Sequence, residues 1–461
     1  MCDDDEMTDL SQANTEGPDS QLSTDPSIGS SGQIETKSEP FGRITISKIM
    51  RRRYGTTRQV VRNKASEQIF ILDLVKERTT FGRKGDCSVS DYIHESKINE
   101  ISGIHFSIVK TDVNNALCPI FIEDSSMNGT YVRQKISDTN ERTVERIDEK
   151  IKRRILAHND QILIERCPTI CFEFQSFQLV PNDLPADINA DYHIGKELGR
   201  GACGVVNFVQ NRRTCKFYAL KITRNENEKS ISTMMREVDI LKKLNHPCIL
   251  HLHKVKSYTD SVAILIDYME GGDLFTRIRG CGHFSENFSK FIFYQICCGV
   301  AHLHEQKVTH RDLKPENILL STADKYTLVK VADFGLSKCT TFDSVLKTQC
   351  GTVHYLAPEV RQGTQYTNKV DIWSIGVILY NCLTGLHPSV KDSRGNHLIN
   401  RTESVWNDVT EDAQNIIRET LQVKATERPS AKTLLEKRNW LSKENPIVRQ
   451  AIQTIENPTN K

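Results

Sequence analysis

Nowhere in the 461 residues does an apolar run approach the roughly 20 needed to span a bilayer, so no membrane partner is expected. An excess of one charge is also missing. Lys and Arg number 61 against 59 Asp and Glu, and the net charge of +2 argues against non-specific binding of DNA or RNA as the main activity. The opening Met1-Cys2-Asp3-Asp4-Asp5-Glu6 is the reverse of a basic, then apolar, signal peptide, so the cytosol or nucleus is the expected compartment. Cysteine is not scarce, at 14, but no Cys-x2-Cys pair exists. Cys297-Cys298 and Cys167…Cys171 lack a matching half with nearby histidines, so neither a zinc site nor a disulfide framework is expected. In a reducing compartment such cysteines serve as small core hydrophobes. No internal repeat is present.

The length allows two or three domains, each with its own core. Residues 1–38 are rich in Ser, Thr, Asp, Gly and Pro and nearly free of aromatics; this tail cannot bury enough surface to fold alone. Residues 39–180 carry short β-rich runs (Arg43–Ile46, Ile69–Val75, His105–Val109, Ile120–Glu123, Gln161–Glu165, Ile170–Phe174) between charged or turn-forming stretches. Many short strands at close spacing indicate an all-β sandwich or barrel. Residues 181–191, with Pro181, Asp183, Pro185 and Asp187, read as a linker. From 192 to 441 strands come first and helical patterns follow, as in a small β-rich lobe joined to a larger α-rich one. Residues 442–461 read as a short, polar, peripheral tail.

Leu198-Gly199-Arg200-Gly201-Ala202-Cys203-Gly204-Val205-Val206 holds a Gly-x-Gly-x-x-Gly run, in which glycines let backbone N–H groups approach phosphate. Dinucleotide-binding folds use the same spacing but open a helix at that loop, whereas Val205–Val209 continues as a strand. Lys221 follows within the apolar run Tyr218–Ile222. A lysine there is ordinarily an edge residue; its functional reading is an ammonium held toward the α- and β-phosphates. Glu237, in the helix-like stretch Met234–Leu244, is placed to supply the anion that steadies it. His310-Arg311-Asp312-Leu313-Lys314-Pro315-Glu316-Asn317 and Asp333-Phe334-Gly335 come next. Each alone could be an ordinary charged loop; their joint order and spacing make coincidence negligible.

The set matches the protein-kinase signatures, and residues 192–441 resemble a eukaryotic protein kinase domain. The resemblance implies ATP and Mg²⁺ as cofactors and assigns the roles that phosphoryl transfer requires. Asp312 orients the substrate hydroxyl and accepts its proton. Asn317 and Asp333 hold Mg²⁺, and Lys314 steadies the γ-phosphate as in serine/threonine kinases. Leu198, Gly199, Gly201, Gly204, Val206, Asp267 and Met269 join Lys221 and Glu237 around the nucleotide, and Ile266 limits access behind the adenine. Glu359 of Leu356-Ala357-Pro358-Glu359 is expected to pair with Arg428, and Asp371 to prop the catalytic loop from below. Arg311 awaits a phosphate on the activation segment, with Thr348 the favoured acceptor and Thr352 the second.

Phe81-Gly82-Arg83, Ser102-Gly103-Ile104-His105 and Asn128-Gly129-Thr130 fall in order within the β-rich region. Separately they read as a turn, a polar loop and a hairpin glycine. Together they resemble a forkhead-associated (FHA) domain, a phosphothreonine-binding fold. Arg83 can fork onto phosphate oxygens, Ser102 can add a hydroxyl donor, and Asn128 can hold the peptide backbone. His105 reads as structural. Where many such domains carry a basic residue after the serine, this chain has Gly103, which leaves Lys97 as a substitute cation.

An FHA domain before a serine/threonine kinase resembles the checkpoint kinase 2 family with its yeast relatives, over about 400 residues. Thr348-Gln349-Cys350-Gly351-Thr352 and Met269-Glu270-Gly271-Gly272-Asp273-Leu274-Phe275 strengthen the likeness. It implies an upstream damage-sensing kinase, FHA-mediated docking or transient homodimerisation, nuclear action in damage or meiotic checkpoints, and protein substrates with arginine three residues before the target. Glu270 and Glu316 are the carboxylates that would receive that arginine. The tail offers Ser11-Gln12 and Ser20-Gln21, both serines, so the phosphothreonine is expected on another protein or on Thr15 or Thr24. Pro388–Trp406 is shorter than the corresponding stretch of relatives. A phosphopeptide-binding adaptor with secondary kinase activity is the competing class.

Overall fold

A computed structural model describes residues 39–48, 68–84, 86–88, 99, 101–135, 142–147, 149–167, 170–177, 185–201, 204–224, 235, 238, 242–333, 355–363, 366–388, 408–437 and 439–458. Contacts divide the chain into two compact units. One holds the described residues up to Ile194 with Gln210–Lys216; the other holds Gly195–Val209 and Phe217 onward.

The first unit is a sandwich of two mainly antiparallel sheets. One runs β2 (Gln68–Leu74), β1 (Gly42–Lys48), β11 (Ile170–Ser176), β10 (Gln161–Ile164), β7 (Thr130–Lys135), β8 (Arg142–Arg146). The other runs β4 (Cys87–Ser88), β3 (Arg78–Gly82), β5 (Phe106–Val109), β6 (Phe121–Asp124), β9 (Arg153–Ile155). In β1 alternate residues turn inward: Gly42, Ile44 and Ile46 are buried while Arg43, Thr45 and Ser47 are not. The two inner faces meet through aromatic rings. Phe81 stacks on Phe106 at 4.8 Å, and Phe172 from the opposite sheet meets Phe106 edge-on at 5.1 Å. The all-β sandwich is therefore as expected, although β3, β4, β7, β8 and β9 have no counterpart among the expected runs. Region 181–191 is also more than a linker, because Ala186–Asp191 forms a helix, α1.

The second unit is bilobal. A five-stranded sheet runs β12 (Tyr192–Gly201), β13 (Gly204–Asn211), β14 (Phe217–Arg224), β16 (Ser261–Asp267), β15 (Leu252–Ser257). The larger lobe is helical, built on α2 (Leu274–Cys281), α3 (Glu286–Glu305), α4 (Pro358–Arg361), α5 (Lys369–Thr384), α6 (Glu411–Thr420) and α7 (Ala431–Lys437), with the hairpin β17 (Ile318–Leu320) and β18 (Val329–Val331). Ser285 caps α3 through the N–H of Phe288, and every residue of α5 after Lys369 is buried, as befits the lobe's central helix. No described helix is long and apolar enough to cross a membrane.

The expectation of a peripheral end after Leu441 needs correction. Pro446–Glu456 forms an eighth described helix, α8, with Val448 and Ala451 fully buried and Ile447, Ile452 and Ile455 packed on the same core. Those positions recur at helical spacing, so one face is apolar although residues 442–461 taken together are polar. Nearby, Glu286 accepts from Trp440 Nε1 (2.6 Å), Thr410 Oγ1 (2.8 Å) and Thr410 N (2.8 Å), which ties α3 to α6 and to the chain after α7.

Candidate functional site

Three features of the second unit converge at the loop from His310 to Asn317. Asp371, fully buried near the start of α5, accepts from the N–H groups of His310 and Arg311, each at 2.9 Å, and contacts His304 Nε2 at 2.8 Å. These bonds hold a loop in which Arg311 has φ +69, a strained value for a residue with a Cβ. Asp312 follows, with Lys314 Nζ at 3.5 Å from its Oδ2, and Asn317 Nδ2 donates to Asp312 O at 2.8 Å. His310 Nε2 reaches Ala332 O at 2.8 Å, so the loop is bonded to the residue before Asp333.

Lys221 lies in β14 opposite Ile264 of β16, only 8% exposed. Its Nζ meets Asp333 Oδ1 at 2.7 Å. Glu237, the anion expected beside Lys221, falls outside the described residues, as do Phe334, Gly335, Thr348 and Thr352. Among the glycines of the loop, Gly204 has φ +119, and a Cβ there would lie 2.0 Å from Ile222 O. A Cβ on Gly199 or Gly201 would meet nothing within 4 Å, so open space lies beside that strand turn. Leu198 is exposed and Val206 half-buried beside it. Ile266 and Asp267 end β16, and the chain after them is anchored on β17: Glu270 N donates to Ser321 O (3.1 Å), and Gly271 N to Leu320 O (3.0 Å). Glu270 and Glu316 are both exposed carboxylates.

The groups suit a magnesium nucleotide. An exposed carboxylate at Asp333 and the side-chain oxygen of Asn317, whose amide nitrogen is committed to Asp312, form a hard-oxygen donor pair. Lys221 adds a cation, and the open glycine turn leaves room for phosphates. Behind the site, Glu359 receives Arg428 in a fork, Nη1–Oε1 2.6 Å and Nη2–Oε2 2.8 Å, with the Arg428 side chain fully buried.

In the first unit, three loops meet at one end of the sandwich. Arg83 N donates to Ser102 O (3.1 Å), and Lys84 N to Gly103 O (2.8 Å). Gly82 is needed for this approach, since a Cβ there would lie 2.3 Å from Gly103 O. Ser102 Oγ accepts from Met127 N at 3.2 Å, which brings the Asn128 loop alongside. Arg83, Ser102 and Asn128 thus sit on adjoining loops. His105 is fully buried, and burial holds its imidazole below its ordinary range, in keeping with a structural part. Sequence reading missed two contributors. Asn99 Oδ1 takes Arg83 Nη1 at 3.4 Å, and Asp124 Oδ1 shapes the loop by accepting from Ser126 N (3.0 Å), Ser126 Oγ (2.7 Å) and Thr130 Oγ1 (2.8 Å). The Asp-x-Ser spacing at 124–126 is the turn signal that could have revealed the second. Lys97 lies outside the described residues.

Comparison with known proteins agrees with this geometry. The family described as protein kinase domain matches residues 192–441. The ovarian-specific serine/threonine-protein kinase Lok of Drosophila melanogaster is 36% identical over 409 residues, covering 83% of this chain and 82% of the relative. Serine/threonine-protein kinase cds1 of Schizosaccharomyces pombe is 30% identical over 383 residues, covering 77% and 80%. The crystal structure of Rad53 1-466 in complex with AMP-PNP matches with a TM-score of 0.50 at 26% identity, covering 87% of this chain and 100% of that one. A sandwich ahead of a catalytic unit, in chains of this extent, is the FHA-plus-kinase architecture. The chain belongs to the serine/threonine protein kinases, in the checkpoint-kinase group that resembles checkpoint kinase 2.

Proposed function

We propose that this kinase acts in the nucleus in a DNA-damage or meiotic checkpoint, and that its FHA domain recruits it by reading a phosphothreonine on a partner protein. The observation that carries the recruitment is the loop junction at Ser102. Its oxygen already accepts from Met127 N, so its hydroxyl hydrogen can be donated outward, on the loop to whose Ser102 carbonyl the Arg83 backbone N–H is bonded. The word ovarian-specific in one relative's name supports a search in germ cells. Removing one charge-assisted contact to phosphate costs about 1.5–3 kcal/mol, so Arg83→Ala is expected to weaken binding by roughly 10- to 100-fold. Fluorescence anisotropy on a degenerate phosphothreonine peptide pool and its unphosphorylated copy reads this directly. Equal binding of both pools, or full binding by Arg83→Ala, would overturn the recruitment reading.

In catalysis Asp312 takes the proton of the substrate hydroxyl, and Lys314 beside it steadies the transferred group. Magnesium ATP, when bound, supplies the phosphoryl group and the charge neutralisation that transfer requires. Asn317 and Asp333 hold the metal, Lys221 the phosphates. The glycine turn from Leu198 through Gly199, Gly201 and Gly204 to Val206 covers the nucleotide, with Asp267 and Met269 along the adenine side and Glu237 steadying Lys221. An upstream kinase phosphorylates Thr348, and Thr352 is the second candidate. Arg311 then binds the new phosphate. Exposed Glu270 and Glu316 select arginine three residues before the target. A peptide array should therefore show arginine preference lost in Glu270→Ala/Glu316→Ala, and retained preference in that double variant contradicts the assignment.

A further inference from the structure

Each of the four residues Lys330–Asp333 holds a different part of the catalytic unit. Val331 N donates to Cys248 O and Val331 O accepts from Leu250 N, both at 2.9 Å. Ala332 O accepts from His310 Nε2 at 2.8 Å, and Ala332 N donates to Asn317 O at 2.8 Å. Asp333 meets Lys221 at 2.7 Å. Lys330 alternates with the buried Val329 and Val331, and its Nζ reaches Asp267 Oδ2 at 2.6 Å, with side chains 16% and 20% exposed.

Asp267 is the last residue of β16, where the chain leaves for the adenine side. Its Oδ1 contacts His253 Nε2 at 2.7 Å, and its Oδ2 also accepts from His251 N at 3.1 Å. Tyr218 and His251 pack edge-on against the His253 ring, at 4.9 and 4.7 Å. Burial pushes the Asp267 carboxyl up. The bond to His253, the charge and bond of Lys330, and the His251 N–H outweigh that push and hold it well below the usual carboxylate range. This carboxylate is therefore charged and fixed, and Lys330 is bound to it within a partly buried cluster.

We propose that the Asp267–Lys330 pair is a positioning tie that sets Asp333 relative to the adenine-side connection, so that metal and nucleotide bind as coupled ligands. The inference rests on the reading of Asp333 as a metal-holding residue. Lys330 is three residues from Asp333, at most about 10 Å of extended chain, and the residues between are pinned by backbone bonds. Loss of the Lys330 charge leaves Asp267 with a poorly compensated carboxylate and frees β18 from the adenine side.

The test is calorimetry of AMP-PNP binding to the full chain, with Mg²⁺ and with chelator. In Lys330→Met the affinity gained on adding Mg²⁺ is expected to shrink roughly fivefold, equivalent to ~1 kcal/mol, whereas metal-free binding stays within about twofold. Lys330→Arg, which keeps the cation, should restore the gain. If Lys330→Met does not fold, Lys330→Gln gives the same readout, because it keeps a polar stem of similar reach and loses the charge. An undiminished gain overturns the tie, whether or not the melting temperature falls. If the unaltered chain shows no gain from Mg²⁺, it is instead the reading of Asp333 that fails.

Discussion

Asp312→Asn is expected to lower kcat about 10³-fold while nucleotide affinity changes less than about threefold, since a positioned general base contributes roughly 10²–10⁴ in rate. The substitution leaves most of the surrounding structure alone. Asparagine keeps the shape of the side chain, the backbone carbonyl that takes Asn317 Nδ2 at 2.8 Å, and the loop held by Asp371. The groups proposed to hold the nucleotide, Lys221, Asp333 and the glycine turn, are untouched. What is lost is the carboxylate proposed to accept the proton of the hydroxyl. Steady-state kinetics with a peptide substrate, paired with calorimetry of AMP-PNP, separates the two quantities. A kcat within tenfold of the unaltered enzyme would mean that another group carries the proton.

Arg428→Ala is expected to cost about 3–5 kcal/mol, the usual penalty for removing one partner of a buried ion pair. Here the loss is compounded. Besides the fork onto Glu359, Arg428 donates to Gln422 O at 2.7 Å, Lys369 O at 3.0 Å and Val423 O at 3.2 Å, and its guanidinium lies 5.1 Å over the Trp373 ring. Truncation strands the Glu359 carboxylate of α4, the Lys369 carbonyl of α5 and two carbonyls just after α6. For a unit of this size the melting temperature should fall by about 10 °C, or the unit should fail to fold. Arg428→Lys keeps the charge but not the planar fork, and should recover less than half of the loss. Differential scanning calorimetry of both variants checks this. A fall under about 2 °C for Arg428→Ala would show that the pair is not a principal tie of the segment beginning at Pro358.

Motifs whose members stand close in the chain were legible before any geometry. His310 to Asn317 is a loop of eight residues whose bonds are largely local or to Asp371, and the resemblance to kinases already pointed to Asp371 and to the Glu359–Arg428 pair. Short strands on the polar edges were not legible. Arg142–Arg146 alternates between exposed and half-buried residues at the end of its sheet, so the hydrophobic signal is weak, and Arg153–Ile155 spans only three residues. The apolar stripe of α8 was present at helical spacing, diluted by Arg449, Gln450 and Gln453 on the other face. The Asp267–Lys330–His253 cluster has no mark in the sequence. Lys330 is 63 residues from Asp267, and a lysine between two valines of a strand reads as an ordinary surface residue.

The loops that gather Arg83, Ser102 and Asn128 lie between. Their motifs named the fold, yet the roles of Asn99 and Asp124 depend on side chains reaching back to neighbouring loops, which spacing alone does not show.

The most direct test of the account is phosphoamino-acid analysis of a protein substrate labelled from γ-labelled ATP by the purified full chain, with unaltered, Asp312→Asn and Arg83→Ala proteins side by side. The account predicts label on serine and threonine but not tyrosine, essentially none with Asp312→Asn, and undiminished labelling with Arg83→Ala in free solution. Label on tyrosine, or undiminished labelling by Asp312→Asn, would contradict it.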